Sequence, residues 1–81
     1  MTMEDVYSRL TTIFHDVFDD DAIVVTPDLT ADDVPEWDSL SHIRLMLAVQ
    51  KAFSIKMSAA QIASLKTVGD LANLVRAKTN A

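Results

Sequence analysis

The chain has 81 residues, 49% apolar and 23% charged, with one Gly, two Pro and no Cys. This composition folds, but the length supports one modest core and rarely a deep catalytic pocket besides. Disulfides, thiolate metal sites and a protein thiol nucleophile are excluded, and His15 and His42 alone cannot hold zinc.

The net charge of −5 is unevenly spread. Eleven of the twelve acids lie in residues 1–38, and six of the seven Lys/Arg lie in residues 39–81. Such asymmetry gives either a directional surface for partners or simply a solvated loop with charges matched to helix dipoles. The bases are spaced rather than clustered, which argues against nucleic acid as a ligand. The acidic start Met1-Thr2-Met3-Glu4-Asp5 is unlike a signal peptide, and no apolar run approaches the roughly 20 residues of a membrane span. The expectation is one cytoplasmic, monomeric domain over residues 1–81.

The first helix is expected to open at Thr2, where Thr2 and Asp5 form a capping pair. Val6, Leu10, Ile13, Phe14, Val17 and Phe18 then make one apolar stripe at helical spacing. Asp19-Asp20-Asp21 stops it, because adjacent carboxylates are unfavourable at the negative end of a helix dipole. Residues 19–38 form a long acidic connection with Pro27 and Pro35, pinned to the core by Ile23, Val25 and Leu29. Loops of this length in small domains are often functional.

Pro35 disfavours helix at Val34, and Asp38 is a good N-cap, so the second helix runs from Ser39 to about Phe53. It carries two apolar stripes. His42, Leu45, Val49 and Phe53, with Met46 beside them, make one. Leu40, Ile43 and Leu47 make another, turned away from the first. The surplus stripe is either extra core or a docking surface.

Ser58-x-x-Gln61 is a second capping box and opens a short helix near residues 58–64. Thr67-x-x-Asp70 opens the last helix, with Val68, Leu71, Leu74 and Val75 on its apolar face and Arg76 and Lys78 at its negative end. Gly69 lies in its first turn. A glycine there costs up to about 1 kcal/mol relative to Ala, so close backbone packing is expected around it. The fold expected is all-α: a small antiparallel bundle of three main helices plus one short helix, with a long loop between helices 1 and 2.

No catalytic constellation is present. Ser39, Asp38 and His42 do not make a triad, because Asp38 adjoins Ser39 and is badly placed to orient the far imidazole nitrogen. The acids of residues 16–21 lack the spacing and the glycine of a calcium loop, so they read as a solvated face and no metal site is expected. Ser39 stands apart. It ends the acidic loop and begins a helix, where free amides and a partial positive charge favour a phosphate ester.

Ser39 also has a context. Glu36-Trp37-Asp38-Ser39-Leu40, then Phe53-Ser54-Ile55, then Leu65-Lys66-Thr67-Val68-Gly69-Asp70-Leu71 resembles the acyl carrier protein family over nearly the whole chain. The resemblance implies a phosphoprotein that is not an enzyme. In it, 4′-phosphopantetheine is joined to Ser39 by a phosphopantetheinyl transferase, with help from Asp38, and cargo is held as a thioester. The missing sulfur would then come from the cofactor. Partners implied are an acyl- or aminoacyl-loading ligase and acyl-transferring or condensing enzymes. They would dock on the second helix, through Leu40, Ile43, Arg44, Leu47 and Lys51, beside Trp37.

Two departures stand out. Carriers of general fatty acid synthesis usually have an acidic second helix, whereas His42, Arg44 and Lys51 make this one neutral to basic. Trp37 replaces the usual small residue. Both point to a specialised, free-standing carrier in secondary metabolism, lipid modification or an aminoacyl pathway. The alternatives are an aminoacyl carrier of peptidyl or D-alanyl type, and an unmodified helical interaction module.

Overall fold

The computed structural model describes residues 2–79. They form four helices: α1 (Met3–Phe18), α2 (Ser39–Phe53), the short α3 (Ala59–Ser64) and α4 (Val68–Thr79), with no strand among the described residues. The all-α bundle expected from periodicity is therefore observed.

Each start follows from local chemistry. Thr2 Oγ1 accepts from the Asp5 amide and the Asp5 carboxylate accepts from the Thr2 amide. Ser58 with Gln61 and Thr67 with Asp70 repeat the exchange at α3 and α4, so each cap satisfies orphan donors of a first turn. The stops differ. Asp19 and Ser54 adopt left-handed backbone, at φ 50° and 55°, and their amides turn back to carbonyls of the last turns of α1 and α2. Asp tolerates that region because its short polar chain bonds locally; Ser54 occupies a place where Gly is preferred.

The core is built by α1 packing on α2 and α4. Val6, Leu10 and Phe14 of α1, Leu45, Met46 and Val49 of α2, and Val68, Leu71 and Val75 of α4 are almost wholly buried. Val17 and Leu74, expected on the apolar faces, are half-buried at its edge. Met57 and Ala72 also join the core. Gln50 fixes Met57 by accepting from its amide, at 2.9 Å, while donating to the Met46 carbonyl.

The long connection is fastened at several points. His15 Nε2 donates to the Ile23 carbonyl at 2.9 Å. Ile23, Val25 and Leu29 lie half-buried against the core, as expected, and Val34 is buried beyond them. A 3₁₀ turn at Ala31–Asp33 shapes the loop, with the Asp33 carboxylate accepting from the Thr30 amide and hydroxyl. The backbone then clasps α4: the Val68 amide donates to the Leu29 carbonyl and the Gly69 amide to the Pro27 carbonyl, at 2.9 and 3.0 Å. A Cβ on Gly69 would lie 3.0 Å from the Pro27 oxygen. That is the close approach that a glycine permits here.

Candidate functional site

Ser39 is the first residue of α2 and is exposed. Asp38 before it is the N-cap, its Oδ1 accepting from the Ser41 amide at 2.8 Å. Hydrogen bonds from the Ser41 amide, then from the Ser41 side chain, hold the Asp38 carboxyl below its ordinary pKa. It is therefore anionic at neutral pH and turned towards the helix start. Ser41 takes one end of Asp38 and leaves the neighbouring hydroxyl of Ser39 presented to solvent.

The chain reaches Ser39 over an aromatic brace. The half-buried Trp37 ring meets Phe14 edge-on, at a 5.3 Å centroid distance and 85°, and leans on Phe18 at 6.1 Å. On its other side it stacks on His42 at 6.0 Å, and Trp37 Nε1 donates to His42 Nδ1 at 3.1 Å. In helix terms Trp37 is the residue before the N-cap and His42 the fourth of the helix, the positions of a hydrophobic staple. The brace fixes the angle at which the loop enters α2.

An open hollow of ≈ 400 Å³ lies beside Ser39, lined by Ala31, Trp37, Asp38, His42, Leu65 and Lys66. Leu65 and Lys66 arrive from the turn between α3 and α4. The sequence signal for them is the Thr67–Asp70 cap: its carboxylate also accepts from the Lys66 amide at 3.1 Å, fixing the turn just before α4.

The second apolar stripe of α2 is not core. Leu40, Ile43 and Leu47 are 67%, 57% and 62% exposed. Arg44 and Lys51 are also exposed. These five residues are spaced i, i+3, i+4, i+7 and i+11, which places them on one helix face, opposite the buried Leu45, Val49 and Phe53. Trp37, expected beside them, is turned mainly into the core. His42 is half-buried, as its place on the inner stripe implies. No group of three or more potential metal ligands forms a site among the described residues, and no described helix is long and apolar enough to cross a membrane.

A family model described as a phosphopantetheine attachment site matches residues 8–75. Among solved structures, the solution NMR structure of holo acyl carrier protein from Geobacter metallireducens is similar at 44% sequence identity. The match covers 93% of this chain and 86% of that one, with a TM-score of 0.88. No curated protein sequence matches the chain.

Proposed function

Since this chain belongs to the phosphopantetheine-attachment family, as an acyl carrier protein, we propose that Ser39 is the residue that bears its 4′-phosphopantetheine. The protein carries acyl groups, and the bound arm supplies the thiol on which they ride as thioesters. The observation that carries the assignment is the solvent-presented Ser39 hydroxyl at the start of α2, next to a capping carboxylate and an unpartnered apolar face.

The residues present fit the group. A phosphodiester on Ser39 sits at the positive end of the α2 dipole, where an anion gains roughly 0.3–1 kcal/mol. Lys66 borders the adjoining hollow and adds a cation, while Trp37 and Leu65 give it apolar wall. The Asp38 carboxylate, a like charge, is drawn to the Ser41 amide. In the attachment step Asp38 serves the transferase, and it holds the first turn of α2 in place.

Partners are a phosphopantetheinyl transferase, a loading ligase and acyl-transferring or condensing enzymes. They dock through Leu40, Ile43, Arg44, Leu47 and Lys51, while Trp37 braces the surface from beneath. Contacts of this size release quickly, as a carrier visiting several enzymes requires. The absence of any carboxylate from Ser39 to Phe53 supports dedicated partners rather than those of general fatty acid synthesis.

The test is incubation with coenzyme A and a broad-specificity phosphopantetheinyl transferase, then intact mass and peptide mapping. One phosphopantetheinyl group on the peptide containing Ser39, and none on Ser39→Ala, is the expected result. Modification of another hydroxyl overturns the assignment. A Ser39→Ala protein that keeps all function in its host would instead identify an unmodified interaction module.

A further inference from the structure

The exposed face of α2 combines two features that the core does not explain. Leu40, Ile43 and Leu47 are more than half exposed, an apolar row that burial in a partner would relieve. Arg44 and Lys51 share that face, and among the described residues no carboxylate lies within ion-pairing distance of either. The other described Lys and Arg are likewise without such a pair, so what sets these two cations apart is that they share a face with the exposed apolar row. The helix itself contributes no acid. The acids nearest in sequence, Asp32, Asp33, Glu36 and Asp38, all precede Ser39 and lie at the opposite end of the face from Lys51. Lys51 also borders a second hollow, lined by Ile13, Asp16, Val17, Ala48 and Ala52 between α1 and α2; the Asp16 carboxylate lies on that hollow but beyond ion-pairing distance of Lys51, so the cation stays open to a partner.

Resting on the reading that this face docks partners, we infer that the surface it accepts is an apolar helix or ridge flanked by carboxylates, those carboxylates meeting Arg44 and Lys51. The polarity is one-directional. A matching partner is acidic opposite the middle and C-terminal part of α2 and not acidic opposite the loop before Ser39, so it can dock in only one orientation relative to the attachment site. Complementary rim charges of this kind set orientation and on-rate more than affinity. An anionic lipid surface would also complement an apolar and basic face. With only two cations there, and eight acids in the loop leading to Ser39, the protein partner is favoured.

The probe is a pair of synthetic amphipathic helical peptides with one apolar face, bordered by Glu in the first and by Lys in the second. They are titrated into the ¹⁵N-labelled full chain. The Glu-bordered peptide is expected to shift amides from Leu40 to Lys51 and to bind there about three- to tenfold more tightly at low salt, the gain of two exposed ion pairs. This preference opposes the chain's net charge of −5, which by itself would favour the Lys-bordered peptide. It should shrink above about 0.5 M salt and invert in the Arg44→Glu/Lys51→Glu double variant. Equal binding of both peptides on α2 leaves the docking reading standing and overturns the charge inference. Shifts confined to other regions, or no binding by either peptide, overturn both. Binding to phosphatidylglycerol vesicles without binding to the Glu-bordered peptide assigns the face to lipid and overturns the inference.

Discussion

Replacing Trp37 with Ala removes the brace under Ser39, and the size of the effect follows from what the ring touches. Truncating a buried large aromatic costs about 3–5 kcal/mol. Trp37 keeps part of its ring in solvent, which puts the cost at about 2–3 kcal/mol, the Phe14 and Phe18 contacts included. A domain of 81 residues has a total stability of roughly 4–12 kcal/mol. At about 4–8 °C per kcal/mol, thermal melts followed by far-UV circular dichroism should show a midpoint lower by roughly 10–20 °C. Trp37→Phe separates the two contributions. It keeps an aromatic ring against Phe14 and Phe18 and loses the donor to His42 with part of the ring area, which together cost about 1–2 kcal/mol, so its midpoint should fall by roughly 4–10 °C, less than that of Trp37→Ala. A Trp37→Ala midpoint within about 2 °C of the wild type, well below that, would refute the brace. A Trp37→Phe variant as damaged as Trp37→Ala would refute the division between stacking and hydrogen bonding.

Three further outcomes are expected. Gly69→Ala gains helix propensity but drives a Cβ to 3.0 Å from the Pro27 carbonyl; urea unfolding should show a net loss of about 1 kcal/mol, and a gain would mean that the loop moves away freely. Ser54→Gly relieves the left-handed α2 terminus and should raise stability in the same assay by about 0.5 kcal/mol, after the extra entropy of the unfolded Gly is counted. Asp38 has a lower pKa folded than its ordinary 3.8, so the folded chain binds that proton less readily than the unfolded one. Its stabilising contribution is full above 3.8 and is lost as pH falls through the folded value. Asp38→Asn still caps but does not titrate, so the gap between wild type and variant should narrow on acidification below that point, and a gap constant with pH would contradict the linkage.

The helices were legible because their signals are local. Thr2 with Asp5, Ser58 with Gln61 and Thr67 with Asp70 each close within one turn, and the inner stripe of α2 repeats at its own period. The outer row of Leu40, Ile43 and Leu47 could be seen but not placed, since periodicity tells which residues share a face and not what covers it. The connection between α1 and α2 was legible only in outline. Its 3₁₀ turn, the burial of Val34 and the His15 anchor depend on where α4 and α1 lie, and no repeat in residues 19–38 encodes that. At the candidate site, Ser39 and Asp38 stood out as a cap and a helix start. Trp37 was harder: an aromatic beside an exposed Ser reads as surface, and its support of the loop emerges only once Phe14 and Phe18 are seen under it. Leu65 and Lys66 could be read as the approach to the α4 cap but not placed beside Ser39, because they come to it through space from about 26 positions further along the chain.

Besides its apolar anchors, the loop is tied to α4 by peptide groups, with Pro27 and Leu29 offering oxygens to the amides of Gly69 and Val68. Fastening of that sort is indifferent to what the neighbouring side chains are. Asp28, Asp32 and Glu36, all exposed, can therefore be replaced while the start of α2 keeps its place. Surface charge and scaffold are thus carried by separate parts of the same twenty-residue segment.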